Sequence, residues 1–230
     1  MSVTSQSSGG DPIWTALRAE TWSEQERDSY LRQYLTTIIL KSKRLEESLG
    51  MILSARLKTE CLIPELLHSL VNQAFAQPGA GETVRRDLQA MRDGDPESDG
   101  YLVPFLFMRG FQALQCYRVS HWLWNQGREL LAYHLQSRTS EVFGADIHPA
   151  ARIGAGIMMA HATGIVVGRS VIGDDVTIGA GSIIASNLEI GSGARIAPGS
   201  AVMESVLPNT LVSGVPAVHQ TDDDRATLIL

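Results

Sequence analysis

Hydrophobic residues recur every six positions in the last third of the chain. Aliphatic side chains fill this repeat without a break at Ile172, Ile178, Ile184, Ile190, Ile196 and Val202. A helix repeats about every 3.6 residues and a strand every two, so a period of six fits neither. It predicts a parallel β-helix, in which three short strands form each coil and the aliphatic residues point into a stacked core. The alternative is a sandwich of glycine-punctuated strands, which would alternate in twos.

The first two thirds of the chain carry apolar residues at helical spacing instead. Helical periods are predicted over 13–27, 30–76, 82–92 and 102–142. Asp11 and Pro12 predict the first helix start, as an N-cap followed by proline at the first helical position. Interruptions are expected at 79–81, near Pro104 and near Gly127. The fold class is therefore α+β, with a helical region before a β-helix.

Glycine content marks the boundary between the two regions, since twelve of the 21 glycines lie within 144–217. The predicted divisions are a disordered N-terminus (1–10), a helical oligomerisation domain (11–143), a β-helix (144–220) and a C-terminal tail (221–230). Flat coil faces usually pack against identical neighbours, so we expect a trimer, or a dimer of trimers joined by the helical domain.

Composition excludes several classes of function. The net charge of −6 and the pI near 5.5 argue against binding to nucleic acid or anionic lipid. The two cysteines lack metal-ligand spacing, so neither a disulfide framework nor a metal site is predicted. Because no apolar run is long enough to span a bilayer and residues 1–10 do not resemble a signal peptide, we expect a cytoplasmic protein.

The six-residue repeat is irregular around His161. Met159 and Val167 are eight positions apart, and Val167 and Ile172 are five apart. Such an insertion pushes the chain outward, where it often presents a functional side chain. Asp146 lies 15 residues before His161, close to one coil of three hexads, so neighbouring coils ~4.8 Å apart should bring the two together. A carboxylate that fixes the imidazole tautomer prepares a general base, whereas a purely structural hydrogen bond is the alternative.

Four segments carry a resemblance to a known family. They are F-Q-A-L-Q-C-Y-R-V-S-H-W-L-W-N-Q-G from Phe111, D-I-H-P-A-A-R-I-G-A-G-I-M from Asp146, H-A-T-G-I-V-V-G from His161 and G-V-P-A from Gly214. Together they strongly resemble the serine O-acetyltransferase family over about residues 12–217. The resemblance implies that the β-helix is left-handed, that acetyl-CoA lies in a groove between adjacent subunits, and that the acceptor hydroxyl attacks the thioester directly.

The resemblance also implies site residues. The catalytic aspartate–histidine dyad of the family falls on Asp146 and His161, and one of its serine-binding aspartates falls on Asp95. The alternative for Asp95 is the N-cap of a helix starting at Asp95-Pro96-Glu97. His148, beside the dyad, is grouped with Asp95 as substrate-binding and is expected to support the dyad by packing.

On the donor side, Gly179, Ala180 and Gly181 resemble the edge of small residues along which pantetheine lies. Arg195 stands where the family has a lysine and is expected to meet a CoA phosphate. Pro198 occupies an alanine position of the same groove. The alternatives are ordinary coil corners for the small residues and a solvated surface position for Arg195.

Two departures affect the acceptor side. Ala160 stands where the family has its other serine-binding aspartate. Between Val176 and Thr177 the chain lacks a segment of roughly one coil and an arm, in which the family carries a Gly-Gly-Thr-Gly run and an Arg-His-Pro element. Each lost charge-assisted contact to serine is worth roughly 1.5–3 kcal/mol, so we expect an altered acceptor preference.

We therefore expect a CoA-dependent O-acyltransferase that moves the acetyl group of acetyl-CoA to serine or an altered hydroxyl acceptor, with a role in cysteine biosynthesis. The alternatives are an inactive homologue serving as a scaffold or regulatory subunit, and a decarboxylase or hydrolase of acyl-thioesters. In the family a C-terminal isoleucine inserts into cysteine synthase. This chain ends at Leu230, and contact with cysteine synthase through the tail is an open expectation.

Overall fold

The segment with helical spacing and the segment with the six-residue repeat form two different architectures, one after the other along the chain. The computed structural model describes residues 10–60, 62–96, 98–159 and 161–220. Its helices are α1 (Pro12–Arg27), α2 (Arg32–Leu35), α3 (Leu45–Leu57), α4 (Pro64–Phe75), α5 (Ala80–Gly94), α6 (Leu102–Phe107), α7 (Arg109–Asn125) and α8 (Glu129–Phe143). A π-helical turn over Thr36–Leu40 continues α2. Except for Gly10, the predicted N-terminal segment lies outside the described residues, as does the predicted tail.

Local sequence explains where the helices begin. The Asp11 carboxylate accepts a hydrogen bond from the Trp14 N–H at 3.1 Å, which confirms the predicted N-cap of α1. α5 begins at Ala80 rather than 82, because Gly79 adopts φ +79° and makes the turn by itself. Pro104 lies within the first turn of α6, where a missing N–H costs little, so the interruption falls at Met108 instead. None of the described helices is both long and apolar enough to cross a bilayer.

Short strands then wind into about four coils of a parallel β-helix. The strands are β1 (Ala145–Ile147), β2 (Arg152–Ile153), β3 (Met158–Met159), β4 (Ile165–Val167), β5 (Val171–Ile172), β6 (Thr177–Ile178), β7 (Ile183–Ile184), β8 (Glu189–Ile190), β9 (Arg195–Ile196), β10 (Ala201–Val202), β11 (Leu211–Ser213) and β12 (Val218–His219). Sheet 1 stacks β1-β4-β7-β10, sheet 2 stacks β2-β5-β8 and sheet 3 stacks β3-β6-β9-β11, to which β12 adds antiparallel. The six aliphatic residues of the repeat are each at most 2% exposed, which confirms the predicted core.

Helix α7 covers the open edge of the first coil. No coil precedes that edge, so its backbone carbonyl groups need other donors. The Tyr117 hydroxyl donates to the carbonyl oxygen of Ala151 at 2.6 Å, and the imidazole Nδ1–H of His121 donates to that of Pro149 at 2.7 Å. The helical region thus terminates the β-helix on its N-terminal side.

A buried ion pair also joins the helical region to the first coil of the β-helix. Asp87 of α5 is fully buried, and its carboxylate accepts two hydrogen bonds from the guanidinium of Arg118 in α7, at 2.7 and 2.9 Å. The backbone N–H groups of Gly156 and Ile157 donate to the same carboxylate at 3.0 and 3.2 Å. Arg118 in turn donates to the carbonyl oxygen of Gly154 at 2.7 Å. Two helices and the first coil therefore share one network of charged hydrogen bonds.

We expect Asp87→Ala to lower the free energy of unfolding by about 3–5 kcal/mol, because it leaves a buried guanidinium unpaired. Urea denaturation of the full chain measures this cost. Asp175→Asn is the control, since Asp175 pairs at 2.9 Å with Arg86, the neighbour of Asp87 in α5, but both side chains are exposed, and asparagine tolerates the φ of +57° at this position. That variant should lose less than about 1 kcal/mol. Equal costs for the two variants would contradict the central role of the buried pair.

Candidate active site

One corner of the β-helix carries the predicted base His161 and the predicted donor-side residues Gly179, Ala180, Gly181 and Pro198, whereas Asp146 and Arg195 lie on the adjoining sheets. This corner, called the 3/1 corner, comprises the segments 161–164, 179–182 and 197–200 that lead from sheet 3 to sheet 1. Backbone hydrogen bonds stack them: Gly164 N–H to the Gly144 oxygen at 2.9 Å, Gly181 N–H to the Thr163 oxygen at 2.9 Å, and Gly199 N–H to the Ala180 oxygen at 2.8 Å. Residues that are far apart in sequence therefore follow one another along a single edge.

His161 lies exposed at the longest turn of this corner. On sheet 1, paired residues of β1 and β4 are 20 positions apart in sequence, as for Asp146 and Val166. The corresponding separations are 17 positions between β4 and β7 and 18 between β7 and β10. Ala162 adopts φ +60° and is fully buried, which leaves His161 on the outside of the turn. The predicted outward bulge at this point is confirmed.

Asp146 faces outward from sheet 1, between the buried neighbours Ala145 and Ile147. Its Oδ1 accepts a hydrogen bond from Nε2 of Gln136, in α8, at 2.5 Å. Among the described residues no hydrogen bond or ion pair joins Asp146 to His161. The Gly144–Gly164 hydrogen bond nevertheless places the His161 turn beside the start of β1. The two residues thus lie on neighbouring coils, and their pairing as a dyad stays a prediction.

His148 belongs to a cluster of aromatic rings. Its ring meets those of Trp124 and Tyr133 edge-on, with centroids 5.5 and 5.7 Å apart. Nδ1 accepts a hydrogen bond from the Ala150 N–H at 3.0 Å. Burial, and then the positive charge of Arg169, lower the pKa of His148, while the Asp146 carboxylate partly opposes them. His148 is therefore a neutral packing residue near neutral pH, and its assignment to substrate stays a prediction.

Asp95 follows directly after the last residue of α5. The next helix begins at Leu102, so the alternative of an N-cap at Asp95 is wrong. Gly94 lies against Met158 of the first coil so closely that a Cβ atom would come within 2.7 Å of the Met158 Cγ. The end of α5 therefore packs against the strand that precedes the His161 turn, and the assignment of Asp95 to substrate stays a prediction. Ala160 lies outside the described residues.

The small residues of the 3/1 corner are required by coil stacking. A Cβ atom on Gly179 would lie 2.4 Å from the backbone nitrogen of Pro198, and Gly181 adopts φ +72°. The coil-corner alternative therefore accounts for both glycines. The side chain of Ala180 is half-buried, and Pro198 is exposed on the next coil. These two residues therefore lie on the outer edge of the corner, and their contact with CoA stays a prediction.

Arg195 lies on the outer face of sheet 3, where it is exposed and pairs in register with Thr177 and Leu211. No carboxylate pairs with it among the described residues. β3, β6 and β9 pair in unbroken register across Val176–Thr177, where a segment is predicted to be missing. The β-helix therefore closes over that join without a gap in its ladder.

Gln136 is a polar contact of the site that sequence reasoning missed. It lines a cavity of about 450 Å³ together with Asp146, Tyr133, Ser137 and others. Gln136 is a single glutamine within a helix and belongs to no recognisable sequence motif, so no signal in the sequence pointed to it. The described residues contain no group of histidine, cysteine and acidic side chains arranged to hold a metal ion.

The pKa of His148 predicts a pH dependence of stability. Because this pKa is lower in the folded chain, the stability that the neutral ring provides is present above the unfolded value near about 6.5. It is lost as the pH falls through the lower folded-state pKa. Between about pH 7.5 and about pH 5.5, the melting temperature of the wild type should fall further than that of His148→Asn. The exposed control His219→Asn should follow the wild type, and parallel curves for all three proteins would contradict this assignment.

Comparisons with known proteins agree with this arrangement. The model "Serine acetyltransferase, N-terminal" matches residues 13–116, and the model "Bacterial transferase hexapeptide (six repeats)" matches residues 169–203. Serine acetyltransferase 2 of Arabidopsis thaliana is 41% identical, over 90% of this chain and 73% of its own length. The crystal structure of serine acetyltransferase from Brucella abortus in complex with coenzyme A is similar with a TM-score of 0.83 and 37% identity, over 91% of this chain and 95% of the other.

The serine acetyltransferase of Escherichia coli K12 is 37% identical, over 94% of this chain and 90% of its own length. That alignment runs over 246 positions, whereas 94% of 230 residues is about 216. About 30 positions therefore face no residue of this chain, which supports the predicted loss of a segment. By sequence and fold, the chain belongs to the serine acetyltransferase family.

Proposed function

We propose that the protein transfers the acetyl group of acetyl-CoA to the side-chain hydroxyl of serine or of a related small alcohol. The observation that carries the proposal is the 3/1 corner, where an exposed histidine follows the same edge as Ala180 and Pro198. Membership of the family and the CoA complex of the Brucella relative support acetyl-CoA as the donor. Arg195, on the neighbouring face, would meet a phosphate of CoA.

In the proposed reaction His161 removes the proton of the acceptor hydroxyl, and Asp146 orients the imidazole and stabilises its positive charge. The acceptor oxygen attacks the thioester carbonyl carbon directly. A backbone N–H group of the corner that the coil ladder leaves unused, such as that of Ala180, would stabilise the resulting oxyanion. When the intermediate collapses, the C–S bond breaks and the leaving CoA sulfur takes the proton from His161.

The acceptor side differs from that of the family. Asp95, which directly follows the end of α5 where Gly94 packs against Met158, would bind the ammonium group of serine. The residues that would hold the serine carboxylate belong to the predicted missing segment, which the alignment length supports. We propose that serine is accepted with a weakened preference for its carboxylate.

We propose a trimer or a dimer of trimers, because the donor groove of the family lies between subunits. We also propose a role in cysteine biosynthesis and a cytoplasmic location. Docking to cysteine synthase would use the tail, which lies outside the described residues.

His161→Ala should lower kcat by about 100-fold to 10,000-fold while leaving CoA binding intact, because only the general base is lost. Release of free CoA thiol from acetyl-CoA and serine measures turnover, and calorimetry with CoA measures binding. The matched control is His219→Ala, since His219 is exposed on β12, at the opposite end of the β-helix from the first coil. Full turnover in His161→Ala would contradict the assigned base.

The acceptor preference is tested with serine and ethanolamine, which differ only in the carboxylate. We expect kcat/KM for the two acceptors to differ by less than about 10-fold. A single charge-assisted hydrogen bond to the serine carboxylate would by itself favour serine by about 10-fold or more. The E. coli relative, assayed in parallel, is the reference. A preference for serine above about 100-fold would show that other residues have taken over the carboxylate.

Loss of the segment also favours a second function, an inactive scaffold or regulatory subunit. That function predicts no release of CoA with any acceptor and no binding of CoA. Release of CoA without an acceptor would instead indicate hydrolysis or decarboxylation of the acyl-thioester. The thiol assay with and without acceptor therefore separates the three functions.

A further inference from the structure

The carboxylate of Asp146 is held from outside the β-helix. Nε2 of Gln136 donates to its Oδ1 at 2.5 Å, and this is the side-chain hydrogen bond that Asp146 makes within the described part of the chain. Gln136 lies in α8, ten residues before Asp146. One carboxylate oxygen is therefore occupied by an amide, and Oδ2 is left for another donor.

The backbone of Gln136 is well fixed. Its neighbours Leu135 and Thr139 are 1% and 3% exposed, and the Thr139 hydroxyl donates to the Leu135 carbonyl oxygen at 2.7 Å. Gly144 ends α8 with φ +83°, so β1 follows the helix after a single residue. The distance between the amide and the carboxylate is thus set by a packed helix and a paired strand.

Other polar groups near Asp146 do not hold it in the same way. Tyr133 and Ser137 line the same cavity as Asp146, and the negative charge of Asp146 acts to raise the pKa of His148. None of these three residues donates a hydrogen bond to the Asp146 carboxylate in the described structure. Because a glutamine amide carries no charge, it can orient a carboxylate without neutralising it. Orientation is what an aspartate behind a catalytic imidazole must have.

We propose that Gln136 is a positioning residue, which fixes the Asp146 carboxylate so that Oδ2 faces the His161 turn. This role rests on the proposed function. Through the Gln136 amide, the helical region would contribute to the orientation of the proposed catalytic pair. A carboxylate free to rotate would spend less time aligned with the imidazole, so the rate of the chemical step depends on this contact.

The test measures kcat and KM in Gln136→Met and Gln136→Glu. Methionine keeps nearly the same length without a donor, and glutamate keeps the shape but turns an acceptor toward Asp146. We expect Gln136→Met to lower kcat about 10-fold with the KM for acetyl-CoA unchanged, and Gln136→Glu to lower kcat at least as much. Gln73→Met, at an exposed position of α4, is the matched control and should keep full kcat.

A double-mutant cycle separates positioning from a structural role. If Gln136 acts through Asp146, then Gln136→Met combined with Asp146→Asn should be no slower than Asp146→Asn alone. Thermal melting of each variant checks that all of them fold. Full kcat in Gln136→Met, or a loss that multiplies in the double variant, would overturn the role while leaving the proposed function standing. A wild type that releases no CoA with any acceptor would overturn the proposed function and this role with it.

Discussion

The ion pair between Asp87 and Arg118 is the constraint on which the rest of the structure depends. Burying two charges is costly unless their lone pairs and protons find partners, and here the backbone of the first coil and the Gln115 amide of α7 supply further partners. α5, α7 and the turn before β3 are therefore fixed relative to one another. The first coil, in turn, sets the register of every later coil, since each strand pairs with the one before it.

This junction also explains how the helical region contributes to the site. α5 ends against Met158 of the first coil, directly before Asp95. α8 runs into β1 through Gly144 and so delivers Gln136 to Asp146. The β-helix provides the exposed imidazole and the edge of small residues along the 3/1 corner. The proposed chemistry therefore needs both architectures in a fixed relation, rather than a β-helix with an independent appendage.

The sequence predicted what depends on local pattern. The six-residue spacing from Ile172 to Val202 specified the coil core, and the irregular spacing specified the bulge at His161, because both follow from the period of the strands. It could not predict the contact of Gln136 with Asp146 or the pairing of Asp87 with Arg118. Those contacts join separate elements, and neither period nor capping chemistry encodes which helix faces lie together.

Glycine at the 3/1 corner shows a further limit of sequence reasoning. Gly179 and Gly181 are already required by the stacking of coils, so small residues there do not by themselves indicate a ligand. The position of bound acetyl-CoA therefore decides whether this corner is the donor site. The most direct measurement is a crystal structure of the full chain with CoA. We expect the pantetheine along Ala180 and Pro198, with its sulfur beside His161. A CoA molecule bound away from this corner, with its sulfur remote from His161, would contradict the account.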